Sequence, residues 1–271
     1  MVPRGFPNTI MSLDSQQQRS AAQFDRQAGN YGKQHILADT RDVAALLGRI
    51  PDAEKHGRAL DVATGGGHTA LTLARAGYSP VIGDLAPAML ENASKLIEAE
   101  GFTVESALFP AESIPFPDGS FALVSCRVAP HHFSDVPAFI RESHRVLQAG
   151  GYFMVIDGSQ PDDDPETAEW LHEVEKLRDP SHGRLLDRTT WTRLMQEAGF
   201  AIIHADLQPM LQPDLEWYFN AAATSEENRT KVRELVNSAG PHVREAMKLQ
   251  TDGGTVRWTW QRVSLLARKE G

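Results

Sequence analysis

A buried-strand run, Arg58–Ala63, passes into Gly65-Gly66-Gly67 and then a helix-forming stretch, His68–Ala76. Glycines at such a junction let the backbone approach a ligand closely and turn the amides of the helix's first turn toward it. The next strand, Ser79–Asp84, ends on a carboxylate 19 positions after Gly65. An acid at that place can accept hydrogen bonds from both hydroxyls of a ribose. Strand, glycine turn, helix and acid in register predict a nucleoside-containing ligand at the carboxyl edge of a sheet. A structural turn with a solvated Asp84 is the plainer alternative. Gly65-x-Gly67-x-x-Ala70 also meets a loose dinucleotide fingerprint, so an NAD(P)-dependent oxidoreductase stays open on these residues alone.

The rhythm continues downstream. Pro87–Glu100 reads as a helix with proline in its first turn, Thr103–Leu108 and Phe121–Cys126 as strands, and Asp135–Leu147 as a helix. Gly150-Gly151 turns into a fifth strand, Tyr152–Asp157. Strands alternating with helices imply a parallel sheet covered on both faces, and runs such as Tyr152–Ile156 have the continuous apolarity of strands buried on both sides. Residues 15–50 read as helix stopped by Pro51. Beyond residue 158, Glu166–Leu177 and Thr189–Ala198 read as helices, Phe200–Leu207 as a strand, 214–250 as mostly helical and Thr255–Ala267 as a last strand. One domain over 15–271 is expected: N-terminal lid helices at 15–50, a core at 57–158 and a cap at 159–271. Residues 1–14 are expected to be disordered or tag-derived, because Val2-Pro3-Arg4-Gly5 resembles part of a protease-cleavage tag.

Charge and cysteine content narrow the partners. With 27 Lys+Arg against 36 Asp+Glu the formal net charge is −9, and no basic run is interleaved with aromatics. Nucleic-acid binding depends on clustered cations, so no nucleic-acid partner is expected. The single Cys126 allows no internal disulfide, and with it alone a thiolate-bound metalloid or zinc is not expected. No apolar stretch approaches the roughly 20 residues of a membrane span. A cytoplasmic protein is the expectation, and a homodimer is compatible with it.

Five ordered motifs carry a family resemblance: Leu60–Gly67, Gly83–Leu90, Ala111–Phe121, Arg127–Phe133 and Arg145–Gly151. Together they resemble the class I S-adenosylmethionine-dependent methyltransferases, within them the small-molecule group that includes the ubiquinone/menaquinone C-methyltransferases. The resemblance implies an α/β, Rossmann-like sandwich with a seven-stranded, mostly parallel sheet and an antiparallel last strand. It implies S-adenosylmethionine as cofactor, S-adenosylhomocysteine as product and a small-molecule methyl acceptor. Ala63, Thr64, Gly65 and Gly67 would hold the methionyl part, with Asp61 nearby. Asp84 would take the ribose, Leu85 would pack on the adenine, and Met89 would line the same pocket. Ala111 and Glu112 would edge the adenine, Arg127 would sit beside the sulfonium, and Tyr31, with His35, would belong to a lid. Two departures stand out: Ala63 replaces the usual first glycine, and Pro110 replaces an acid that often meets the adenine amino group.

Methyl transfer from a sulfonium is an in-line displacement, so positioning carries much of the catalysis and a base is needed only if the acceptor must lose a proton. His132 and His131, following the fourth strand, are the base candidates; a buried core histidine is the alternative reading. Arg178 and His182 could grip an anionic substrate group or tie loop to helix. Asp162-Asp163-Asp164 has no further ligand pattern and reads as a solvated loop, so no metal is expected. Trp217, Trp258 and Trp260 read as core or interface before substrate wall. Methyl transfer to O, N or an activated C of a small organic molecule is the expected activity, against the oxidoreductase or a non-catalytic S-adenosylmethionine-binding protein.

Overall fold

Alternation along the strands sets the architecture. In the fifth strand Phe153 and Val155 pack into one apolar cluster, while Tyr152, Met154 and Ile156 pack into another on the opposite face. Side chains of a strand point to opposite faces with a period of two, so a strand apolar at every position must be covered twice. The computed structural model describes residues 13–27, 29 and 36–271. The expectations for residues 1–12, Tyr31 and His35 lie outside the described residues. Asp14, grouped by sequence with the disordered lead, accepts the Gln16 and Gln17 amides at 2.7 and 2.9 Å.

The elements run in chain order as α1 (Ser15–Gln27), α2 (Arg41–Leu47), β1 (Arg58–Val62), α3 (His68–Arg75), β2 (Ser79–Asp84), α4 (Pro87–Ala99), β3 (Glu105–Leu108), β4 (Phe121–Arg127), α5 (Val136–Val146) and β5 (Leu147–Ser159). There follow α6 (Pro165–Arg178), α7 (Arg188–Glu197), β6 (Phe200–Gln212), α8 (Leu215–Ala222), α9 (Glu226–Ser238), α10 (Pro241–Ala246), β7 (Gln250–Asp252) and β8 (Thr255–Lys269). The strand order is β3-β2-β1-β4-β5-β8-β6, with β7 paired to β8. β1 to β5 are parallel, and β8 runs antiparallel to both β5 and β6. This is the mostly parallel sheet with an antiparallel last strand that the motifs imply. Strand order reverses between β1 and β4, and ligands of open α/β sheets bind in the crevice such a reversal leaves.

Three differences from the sequence reading have local causes. The helix expected over 15–50 is interrupted: residues 39–40 are not helical, and the carbonyls of Leu37 and Asp39 accept hydrogen bonds from Arg127. β6 runs on to Gln212 through Pro209, because β6 is an edge strand paired on one side, where a missing N–H is tolerated. β7, which the sequence reading did not include, begins at Gln250, where the segment read as mostly helical ends. Gly253 and Gly254, with φ of +54° and +87°, supply the two left-handed residues that a tight hairpin to β8 requires.

α6, α8, α9 and α10 form the cap around their own apolar cluster, in which Trp258 and Tyr218 are fully buried with ring centres 4.9 Å apart. Trp217 and Trp260 pack against this cluster, so the tryptophans belong to the cap's packing.

Gly67 illustrates how packing uses the glycine turn. Its φ is +81°, and a Cβ there would lie 2.8 Å from the Cβ of Ala93 on α4. Gly67→Ala is therefore expected to cost about 2–4 kcal/mol from left-handed strain and overpacking. Ala93→Gly in the same chain should return part of it. Denaturant titration of the four members of this cycle checks the coupling; simple additivity would remove the close contact as the cause.

Candidate functional site

The carboxyl ends of β1, β2 and β4 open onto a cavity of about 890 Å³, including its solvent-open part. Ala63, Thr64, Gly65, Asp84, Leu85, Met89, Ala111, Glu112, Arg127 and His132 all line it. The fold thus brings together most of the residues singled out from sequence. Ala63 and Gly65 take φ of +53° and +52°. Left-handed backbone is costly for a residue with a Cβ, and Ala63 is held by what surrounds it. The Thr64 amide donates to the Gly83 carbonyl at 3.0 Å, and the Gly65 amide to Asp84 Oδ2 at 3.0 Å. Asp84 Oδ1 accepts the Ala86 amide at 2.9 Å. Burial raises the Asp84 pKa, against these amide hydrogen bonds, which favour the charged form.

Asp61 and Gly67 are not part of the described lining. The Asp61 carboxylate lies beneath the turn, accepting Thr64 Oγ1 and Ser125 Oγ at 2.7 Å each. Burial pushes its pKa up to about 6, with both hydroxyls and the Arg127 charge opposing. Asp61 shapes the turn from behind, and Gly67 is glycine for the sake of α3–α4 packing.

Several lining residues were missed from sequence. Phe109 enters the cavity wall across Gly83, where a Cβ would lie 2.2 Å from the Phe109 ring. A glycine inside a buried strand signals such a close approach, and it was available in the sequence. Val128, φ +54°, is a β-branched residue in the left-handed region, tied by its amide to the Ile156 carbonyl at 2.7 Å. Ser20 and Phe24 of α1 and Leu37 complete the roof. α1 is held by amides: Gln16 Nε2 donates to the His132 and Ser181 carbonyls at 3.1 and 2.5 Å, and Gln17 Nε2 to Glu112 at 3.0 Å. Glu112, expected to edge an adenine, also accepts the Ser134 amide at 2.8 Å, so it joins cavity, α1 and the loop before α5.

The two histidines part company. His131 is absent from the cavity lining; its Nδ1 lies 2.6 Å from Asp157 Oδ1 and its amide donates to Oδ2 at 3.0 Å. Burial pulls its pKa down, but the charge and hydrogen bond of Asp157 outweigh that and raise it. His132 does line the cavity. Its Nδ1 lies 3.0 Å from the Ser181 carbonyl, an acceptor only, so Nδ1 carries the proton and Nε2 the lone pair. Burial, and after it the His131 charge, pushes the His132 pKa down to about 3.

Arg178 and His182 lie off the cavity. Arg178 donates to Glu175 at 3.0 Å and to the Tyr218 carbonyl at 3.1 Å, with its guanidinium 4.4 Å above the Tyr218 ring. Its charge is matched inside the cap, because a buried guanidinium needs a partner, and none of its contacts reaches the crevice. His182 is buried behind the histidine pair, its ring 5.3 Å from that of His131. Its pKa is driven down, first by burial and then by His131. In the acidic run, Asp162 pairs with Arg188 at 2.8 Å and Asp164 caps α6 through the Thr167 amide. Among the described residues no group of three His, Cys, Asp or Glu side chains is placed to hold a metal, and no helix is long and apolar enough to cross a membrane.

Known proteins share this arrangement. Residues 60–155, from β1 into β5, match the family model described as a methyltransferase domain. The uncharacterized methyltransferase YcgJ of Bacillus subtilis is 31% identical over 226 residues, which is 82% of this chain and 87% of that protein. Its crystal structure superposes with a TM-score of 0.76 at 26% identity, covering 85% of this chain and 99% of the other. A methyltransferase candidate from Bacillus halodurans superposes with a TM-score of 0.79 at 30% identity, over 85% of this chain and all (100%) of the other. The demethylmenaquinone methyltransferase of Thermus thermophilus is 40% identical over 106 residues, 38% of this chain and 48% of that protein. With the sheet order, the glycine turn and these matches in agreement, the chain belongs to the class I S-adenosylmethionine-dependent methyltransferases.

Proposed function

We propose that this chain binds S-adenosylmethionine in the crevice between β1, β2 and β4 and methylates an O, N or activated C of a small organic molecule, releasing S-adenosylhomocysteine. The observation that carries this reading is the Asp84 carboxylate at the cavity wall, pinned to the Gly65 amide, with Leu85, Met89 and Phe109 forming an apolar slot beside it. The donor set fits the cofactor. A carboxylate oxygen that already accepts one amide still has lone-pair capacity for a ribose hydroxyl, and the apolar slot suits a flat base. In this reading Ala63, Thr64 and Gly65 hold the methionyl end, and Ala111 and Glu112 edge the adenine. Bound there, S-adenosylmethionine supplies an electrophilic methyl group on a sulfonium.

The chain's own residues orient and exclude water. Ser20, Phe24, Leu37, Ala129 and Phe133 enclose the acceptor end with α1 as its roof. Arg127 has its donors committed to residues 37–42, so an anionic acceptor meets no uncommitted arginine or lysine among the described lining residues. This favours a neutral acceptor, and the Thermus thermophilus relative, named a demethylmenaquinone methyltransferase, supports a small-molecule one. His132, neutral with its lone pair on Nε2, is the residue to accept an acceptor proton; His131 and Asp157 support the loop that presents it. Calorimetric titration with S-adenosylmethionine, S-adenosylhomocysteine and NADH tests the cofactor, and binding of NADH alone would overturn it. Labelled-methyl transfer into a metabolite extract, read by mass spectrometry, tests the activity and identifies the acceptor.

Asp84→Ala should weaken S-adenosylmethionine binding by about ten- to hundredfold, or roughly 1.5–3 kcal/mol for charge-assisted hydrogen bonds to the ribose. Calorimetry on the folded variant checks this, and unchanged affinity would remove Asp84 from the site. His132→Ala should lower the single-turnover rate by roughly 10²–10⁴ with cofactor affinity nearly intact. Burial and the His131 charge hold the His132 pKa below the usual imidazole range, so its lone pair is available at neutral pH. The native rate should therefore stay flat between about pH 5 and 8 as far as this residue is concerned. A rate rising through a pKa near 6.5 would assign the proton transfer to another group.

A further inference from the structure

Arg127 is a cation in the wall of the cavity, and its charge is balanced from outside. Nη1 and Nη2 donate to the Leu37 and Asp39 carbonyls at 2.8 and 2.6 Å, and Nε donates to Asp42 Oδ2 at 3.0 Å. The same Asp42 oxygen accepts Arg262 Nη1, from β8, at 3.2 Å. All three side chains are largely buried, at 6%, 11% and 18% exposure for Arg127, Asp42 and Arg262. One carboxylate therefore stands between two guanidiniums from different strands. Asp61 feels the Arg127 charge, but its own oxygens are already bonded to Thr64 and Ser125.

We infer that Asp42 is a positioning residue that sets cofactor selectivity: by offsetting part of the positive charge that Arg127 and Arg262 bring to the cavity wall it keeps the site receptive to a ligand bearing a sulfonium. The inference rests on the cofactor reading proposed above. Like charges repel more strongly in a partly buried site than in water. Remove the Asp42 charge, and the positive charge at the cavity wall rises by one unit, which disfavours the sulfonium of S-adenosylmethionine. S-adenosylhomocysteine, neutral at sulfur, is spared that repulsion while sharing every other contact. The ratio of the two affinities isolates the electrostatic role from the mechanical one, since loosening of residues 37–42 would weaken both ligands alike.

The test is calorimetric titration of the whole chain with each ligand. Asp42→Asn, which keeps the shape and one acceptor oxygen, should lose roughly tenfold more affinity for S-adenosylmethionine than for S-adenosylhomocysteine. Asp42→Glu should retain the native ratio. In Asp42→Asn/Arg127→Gln the ratio should return toward native even if both affinities remain low. Should Asp42→Asn fail to fold, Asp42→Asn/Arg262→Gln removes the second guanidinium and carries the same comparison. Equal losses for both ligands, or none, would overturn the inference. A native chain that binds neither ligand would instead overturn the cofactor reading.

Discussion

Three carboxylates buried toward the carboxyl ends of β1, β2 and β5 shape the edge of the sheet that carries the cavity. Asp61, Asp84 and Asp157 are each 8% exposed or less; Asp61 is the penultimate residue of β1, Asp84 ends β2 and Asp157 follows the apolar run of β5. An ionised group taken out of water must find donors close by, and at a strand end those donors come from the loop that follows or from the next strand. Asp61 takes Thr64 and Ser125, Asp84 takes the Gly65 and Ala86 amides, and Asp157 takes the His131 amide and ring. Each loop at the crevice is thereby shaped by satisfying a buried charge. Left-handed Gly65 is a backbone consequence, since its amide is the one that meets Asp84, while left-handed Val128 is tied instead to the Ile156 carbonyl.

The two coverings of this edge are built differently. The cap has an apolar core of its own, with Trp258, Tyr218 and Phe219 fully buried and the largely buried Arg178–Glu175 pair beside them. α1 buries only Ser20 and is held through glutamine amides reaching His132, Ser181, Glu112 and Ala222. Hydrogen bonds that can be exchanged for water contribute about 1 kcal/mol each, whereas a buried apolar cluster opens only at much higher cost. α1 thus meets the crevice through exchangeable polar contacts and the Phe24 ring, while the chain leaving α6 of the cap places the Ser181 carbonyl against His132.

Much of the site was legible from residue order. The glycine turn, Asp84 at the end of β2 and the motif at Ala111-Glu112 all lie at strand ends, where position along the chain specifies position at the sheet edge. The histidine pair was legible as a pair and not as two roles. Adjacent residues diverge, and which one faces the cavity depends on Asp157 and Ser181, brought in from 26 and 49 positions away. Arg178 could be seen as a charge, but its partner Tyr218 lies 40 positions on, and only that contact turns an anion-gripping arginine into a cap tie.

By itself the sequence determined the strand–helix alternation, the mostly parallel sheet and the edge at which its polar ends collect, because periodicity and glycine placement are local properties of the chain. Only the tertiary structure decided which glycines line the cavity and which serve packing, which histidine faces the cavity, and what meets the Arg127 charge. Those outcomes depend on Ala93, Ser181, Asp42 and Arg262, whose distances to the site are set by the sheet order rather than by spacing in the chain.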